Sequence, residues 1–364
     1  MSPTLMHSEP IPMLRVKGSH REMGRQIGEG CRDQIQHHIN NARILIDASY
    51  NTLELTWGGA QIQARKYMPF AQERYPHYVE EMMGISEGAN VPFEDVAVVN
   101  ALEAVTIDAL HLSKCTSMAV NETRTTNRHV LVAHNEDWLP EDEPDVYLIH
   151  ATPIEEPPYL AMTYGALLPN IGINAEGIAQ CCDSVHPDDS RIGIPRVLVS
   201  RAVLAKKSPG DAIRETLIPR RAAGYNHVIV HESGEIYSVE VSARKFAVLY
   251  ATDGCLTHTN HFLDGTMQAI EDEPDELVGT RVRYFRATRL LAQVEKHSIE
   301  TLQNIQRDHI NFPNSICNHA DDVIDPLDRE KTINALIIDL TERALHIAWG
   351  NPCVSPYHTY YLNA

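Results

Sequence analysis

The chain has 364 residues, 43% hydrophobic and 22% charged, enough for one large domain or two ordinary ones with a substantial core. Its formal net charge of −18 argues against nucleic-acid binding or adhesion to anionic lipid, both of which need a basic face. Seven scattered cysteines, an odd number, suit free thiols in a reducing cytoplasm better than a disulfide framework.

The opening MSPTLMHSEPIPM has no basic segment followed by an apolar core, so no secretory leader is expected and a cytoplasmic location is. IPMLRVKG reads as a short strand. Ser19 with Glu22 then forms a capping-box signature ahead of apolar residues at helical spacing. Gly24, Gly28 and Gly30 weaken that helix and predict a tight packing contact or a break. Two further helical patterns, ARKYMPFAQERYPHYVEEMMGISEGA and PFEDVAVVNALEAVTIDALH, make residues 19–112 mostly helical. The most apolar stretch, VAVVNALEAVTIDALHL, carries Asn100, Glu103 and Asp108 and is not expected to span a membrane.

The texture changes at residue 115. TSMAVNE and HVLVAHNE read as strands with a hairpin turn at TTNR, and DVYLIHATP, YLAMTYG, NIGIN and GIAQCCD continue them. Helices follow in PRVLVSRAVLAKK and in SPGDAIRETLI, where Ser208 caps and Pro209 takes the first helical position. A hairpin over NHVIVHE and EIYSVEVS, a strand at FAVLYA, helices over 278–310 and a last hairpin from TINALIIDL to ALHIAWG complete the chain. Blocks of strands and blocks of helices predict an α+β fold with antiparallel sheet rather than βαβ winding.

Gly84-Ile85-Ser86-Glu87-Gly88 fits the G-x-S-x-G elbow of serine hydrolases, but its helical flank is the wrong setting for that motif. His258 and His261 in HTNH lack a neighbouring ligand to complete a metal site, and adjacent Cys181 and Cys182 are poorly placed to share one ion, so no metal is expected. Neither a Walker A sequence nor G-x-G-x-x-G is present, so no nucleotide fold is indicated. Cys115 has a more specific setting. It opens a strand after the helical block, and HNEDW places Asn135 and Asp137 near the end of the partner strand. The HTNHFL stretch adds amide and imidazole donors. A thiol nucleophile, an orienting carboxylate and an amide for an oxyanion are the ingredients of acyl transfer.

CTSMAV…HNEDW, NIGINAEGIAQCC, HTNHFL and FPNSIC, in this order, with the helical stretch YPHYVEEMMGISEGA before them, resemble the acyl-coenzyme A:6-aminopenicillanate acyltransferase family of N-terminal-nucleophile hydrolases. The resemblance runs from about residue 13 to 360. It implies a four-layer αββα sandwich that cleaves itself between Lys114 and Cys115. That would leave a helical small chain, 1–114, and a catalytic large chain, 115–364, in one compact domain. Cys115 then matches the nucleophile, Asp137 the carboxylate that positions its freed amine, and Asn260 the oxyanion amide, with Asn174 at a site-adjacent position. His134 and Asn135 are supporting candidates, His134 with His258 and His261 also being candidate bases for a conventional cysteine–histidine site. Lys114 stands where relatives carry a small or acidic residue, and Asn318 where the penicillin enzyme has arginine. The expected activity is cleavage of a small N-acylated compound through a Cys115 thioester, by hydrolysis or acyl transfer. No cofactor is expected, apart from a coenzyme A thioester as an acyl donor. A serine hydrolase using Ser86 and an unprocessed, non-catalytic binding scaffold are the alternatives.

Overall fold

The computed structural model describes residues 8–106, 114–272, 277–321, 323 and 329–363. Among them fourteen strands form two sheets. In chain order these are β1 (Met13–Gly18), β2 (Lys114–Val120), β3 (Leu131–Trp138), β4 (Val146–Pro153), β5 (Tyr159–Tyr164), β6 (Ile171–Asn174) and β7 (Ile178–Asp183). They continue as β8 (Tyr225–His231), β9 (Ile236–Val241), β10 (Phe246–Tyr250), β11 (Cys255–His258), β12 (Lys331–Asp339), β13 (Ala344–Trp349) and β14 (Tyr357–Tyr361). The larger sheet has the order β1-β4-β5-β6-β7-β8-β9-β10 and the smaller the order β11-β2-β3-β12-β13-β14.

The sheets face each other, with β7 against β2 and β3, and β9 against β11. Helix His20–Gly30 covers β1. On the far side, helix Val278–Ala292 covers β2 and β11, and helix Ile299–Gln306 covers β3 and β12. The architecture is the expected α+β, αββα sandwich. Strand parity assigns the layers, because successive side chains alternate between faces. Met118, Val120, Leu131 and Ala133 pack with Leu291, Leu302 and Ile305 of the covering helices, whereas Ala119 and Val132 belong to the core between the sheets.

Two expectations need correction. The pairing is not purely antiparallel: β1 lies parallel to β4, with Met13 opposite Leu148 and Gly18 opposite Pro153. A strand ahead of the whole helical block has a long enough connection for this, since parallel neighbours require a crossover. The tight turn expected at 125–128 is instead part of a longer connection over 121–130, in which Thr125 bridges to His297. The helical reading of 19–112 holds for a series of helices from His20 to Val105, and its last residues, 107–112, lie outside the described set.

The glycines of the first helix make a packing contact. Helix His20–Gly30 lies against helix Pro76–Ala89 so closely that a Cβ on Gly24 would sit 2.0 Å from Glu81 O, and one on Gly28 2.4 Å from Ile85 O. From the other side, a Cβ on Gly84 would sit 2.3 Å from Arg21 O, and one on Gly88 2.3 Å from Arg25 O. These neighbours are backbone and cannot swing away. Alanine gains about 1 kcal/mol over glycine in helix propensity, but prising the helices apart costs about 1–3 kcal/mol. Gly24→Ala is therefore expected to lower the denaturation midpoint, read by chemical unfolding of the full chain. An unchanged or raised midpoint would show that the pair has slack.

This contact also corrects the Ser86 alternative. The G-x-S-x-G stretch lies inside a helix, with both of its glycines in the helix–helix seam, and Ser86 Oγ donates to Val91 O at 2.6 Å. No strand-to-helix elbow exposes the hydroxyl.

Candidate active site

Cys115 sits at the second position of β2 and is 1% exposed. Antiparallel pairing sets Lys114 opposite Asp137, Cys115 opposite Glu136, Thr116 opposite Asn135 and Ser117 opposite His134. Directly opposed residues share a face. The thiol therefore shares the inter-sheet face with Glu136, Ser117 and His134, and Asp137 shares the helix face with Thr116 and Asn135. Cys115 Sγ donates to Glu136 Oε2 at 3.8 Å, and the same oxygen lies 2.8 Å from His134 Nε2. Tyr164 Oη, on β5 of the facing sheet, donates to Glu136 Oε1 at 3.3 Å.

From His134 a buried polar chain crosses to the other sheet. Ser117 Oγ donates to Asp183 Oδ1 at 2.7 Å and so accepts from His134 Nδ1 at 2.9 Å. Asp183 Oδ2 accepts from Asn226 at 2.9 Å and lies 3.3 Å from His258 Nδ1, and His258 Nε2 lies 2.9 Å from Glu240 Oε1. Burial alone would discharge these imidazoles, but paired carboxylates outweigh it. Glu136 raises His134, while Asp183 and Glu240 lift His258 to about 9. Burial pushes Asp183 upward, yet its pairing with the His258 imidazolium leaves it below the ordinary carboxylate range. Both ring nitrogens of His134 face acceptors, which is the arrangement of an imidazolium.

The backbone of Cys115 is held from the β11 side. Its N–H donates to Asn260 Oδ1 at 2.7 Å. Arg283, buried on helix Val278–Ala292, donates to Cys115 O, to Thr116 Oγ1 at 3.0 Å and to Asn260 Oδ1 at 2.9 Å. Two donors on Oδ1 fix the amide's orientation, and Asn260 Nδ2 donates to Ser184 O at 3.0 Å. A fixed cation thus reaches the candidate nucleophile from helix Val278–Ala292, while the FPNSIC stretch carries asparagine. Asn318 is a framework residue: its N–H donates to Thr332 Oγ1 at 2.9 Å and its amide to Glu330 O at 3.1 Å.

Asp137 accepts from Thr332 Oγ1 at 2.6 Å through Oδ1, and its buried Oδ2 has no hydrogen-bond partner among the described residues. Burial pushes its carboxyl up to about 8, only partly offset by Arg283 and Thr332. Lys114, next along the chain from Cys115, pairs with Glu330 at 3.0 Å. Two other candidates tie backbone. Asn135 donates to Gln306 O and Ile316 O, and Asn174 donates to Leu204 O and Lys206 O while accepting from the N–H groups of Glu176 and Ile178. His261 lies beside Thr259 and Thr280, and among the described residues it belongs to no cluster of possible metal ligands. A small cavity of about 30 Å³ opens beside Glu136, lined by Trp138, Tyr164, Tyr225 and Glu103.

Glu136, Ser117, Asp183 and Arg283 were not singled out in the sequence. Parity could have found the first two once the β2–β3 register was known, because residues 134 and 136 must share a face. No local signal marks Arg283, one of several arginines on helix Val278–Ala292.

This is an αββα sandwich with a buried polar site at the head of one inner strand, between the sheets. A family model described as acyl-coenzyme A:6-aminopenicillanic acid acyl-transferase matches residues 123–353, and the chain belongs to that family. It is 23% identical over 348 residues to the acyl-coenzyme A:6-aminopenicillanic-acid-acyltransferase 40 kDa form of Emericella nidulans, covering 93% of each chain. It is 24% identical over 230 residues, 58% of each chain, to the beta-alanyl-dopamine/carcinine hydrolase of Drosophila melanogaster. Penicillin V acylase from Agrobacterium tumefaciens superposes with a TM-score of 0.45 at 15% identity, covering 65% of this chain and 83% of that one. The chain is thus related to acyltransferases and amide hydrolases. Among the described residues no helix is long and apolar enough to cross a membrane.

Proposed function

We propose that the chain is a self-processing amidohydrolase that cleaves itself before Cys115 and then hydrolyses a small N-acylated compound through a thioester on that residue. The observation that carries this reading is the grip on one backbone position: Asn260 holds the N–H of Cys115, Arg283 holds its carbonyl, and the thiol turns into the inter-sheet space. A framework that fixes both sides of one residue presents that residue's nitrogen and sulfur together.

Processing begins with attack of the thiol sulfur on the carbonyl carbon of Lys114. The C–N bond to Cys115 breaks, a C–S bond forms, and the nitrogen keeps the thiol's proton as a free amine. Water then cleaves the thioester and leaves a carboxylate on Lys114. The new α-amine has an ordinary pKa of roughly 7.7–8.0, so one residue supplies both nucleophile and base at neutral pH. Asp137, opposite Lys114 in the β2–β3 register, is assigned the role of orienting that amine, as the resemblance to the family implies. In turnover the substrate's acyl group passes to the sulfur, its amine leaves with a proton, and water releases the acid. Nothing in the site identifies a second acceptor, which favours hydrolysis over transfer.

A second reading has its own observation: Glu136 Oε2 touches both the thiol and His134. An uncleaved enzyme could use the Glu136 carboxylate, held by the His134 imidazolium, as base. Denaturing mass spectrometry separates the two. An active sample is expected to contain associated fragments 1–114 and 115–364, held together because β1 pairs within the larger sheet. Activity from intact chain alone would sink the self-processing reading and leave the Glu136–His134 one.

A further inference from the structure

We propose that His309, Cys317, His319 and Cys353 form a structural zinc site, separate from the Cys115 centre. One ligand atom from each of the four lies within 4.8 Å of all the others. His309 Nε2 and His319 Nε2 are 3.1 Å apart, and Cys317 Sγ and Cys353 Sγ each lie 3.5 Å from that same His319 nitrogen.

Hydrogen bonding among these groups does not account for the cluster. An imidazole nitrogen carries either one hydrogen or one lone pair, so His319 Nε2 cannot serve three partners at once. A tetrahedral ion does account for it. With Zn–N of about 2.0–2.1 Å and Zn–S of about 2.3 Å, the ligand atoms stand about 3.3 Å apart for two nitrogens and about 3.6 Å apart for nitrogen and sulfur. Two thiolates and two imidazoles select zinc over the oxygen-loving magnesium and calcium. Four protein ligands leave no open position, so the site is structural rather than catalytic. Asn351 supplies outer support, its amide donating to Cys317 Sγ at 3.5 Å and to Asn318 O at 2.7 Å.

The ligands come from two segments. His309, Cys317 and His319 lie in the loop between helix Ile299–Gln306 and β12, and Cys353 lies in the turn between β13 and β14. An ion there pins the loop to the sheet. Asn318 stands between two ligands and donates to Thr332, which in turn holds Asp137. The site therefore braces one wall of the Cys115 centre without touching it.

The test is elemental analysis of the full-length protein, purified under reducing conditions without metal-affinity resin. About one zinc per chain is expected, as for a closed four-ligand site. Exchange with Co2+ should give the visible bands of tetrahedral cobalt with a thiolate charge-transfer band. His309→Ala, at an exposed position, and Cys353→Ser should each cut the zinc content to below about one tenth while Cys115→Ala keeps it in full. A strong chelator should lower the melting temperature of the parent protein but not of His309→Ala. Three outcomes overturn the site: no zinc taken up even from added ZnCl2, full zinc in the His309→Ala/Cys353→Ser double variant, or a Cys317–Cys353 disulfide in freshly isolated reduced protein.

Discussion

Cys115→Ala is expected to leave the chain in one piece and to reduce turnover to background, with the melting temperature nearly unchanged. The substitution removes one sulfur and leaves the backbone held: the N–H to Asn260 and the carbonyl to Arg283 both survive it. Stability therefore reports little, and chemistry reports everything. Other cysteines are poor substitutes. Burial pushes the Cys31 thiol up to about 12 and the Cys255 thiol up to about 11, which leaves almost no thiolate at neutral pH. Cys31→Ala and Cys255→Ala should process and turn over like the parent. Intact mass reads the first effect and substrate hydrolysis the second. A Cys115→Ala protein that retains full activity would refute the nucleophile outright. One that is cleaved but inactive would separate self-cleavage from turnover and move the processing step to another group.

The switch at Lys114-Cys115 was legible in the sequence because two periods meet there. Helical spacing stops and alternation begins, and the structure has helices up to Val105 and β2 from Lys114. Caps were legible for the same local reason. Ser19 and Glu22 form the expected capping box, and Ser208 with Pro209 opens the expected helix. The glycines of the first helix announced a close contact, although not its partner, since the second set at Gly84 and Gly88 resembled a catalytic motif instead. What sequence could not supply was the face each residue occupies. HNEDW contains two adjacent acids, and only the register of β2 on β3 says that Glu136 shares the thiol's face while Asp137 points to the covering helices. Arg283 and the His309–Cys353 cluster were illegible because their partners are far apart in the chain and have no characteristic spacing. Polar groups brought together by tertiary packing leave no periodic trace.

Asn260→Ala is expected to lower kcat by about 10²–10³, the usual effect of removing one oxyanion donor. The amide has two faces, however, and they make separable predictions. Its Oδ1 accepts from the N–H of Cys115 and from Arg283, while its Nδ2 donates to Ser184 O and has a second hydrogen for a developing oxyanion. After the proposed cleavage, Oδ1 would hold the α-amine, and an acceptor at that distance favours the ammonium. Losing it should shift the acid limb of the pH–rate profile downward as well as slow turnover. Asn260→Asp keeps an acceptor and loses the donor. If the donor carries catalysis, Asn260→Asp stays as slow as Asn260→Ala, with an acid limb moved upward by the added negative charge. If holding the amine carries it, Asn260→Asp recovers much of the rate. In the precursor, alanine leaves the buried Cys115 N–H without its acceptor, at a cost of about 1–3 kcal/mol. Turnover must therefore be normalised to titrated thiol in processed protein. Parent-like turnover per titrated thiol, with a lowered melting temperature, would reduce Asn260 to a structural support and turn attention to Arg283, which donates to the Cys115 carbonyl.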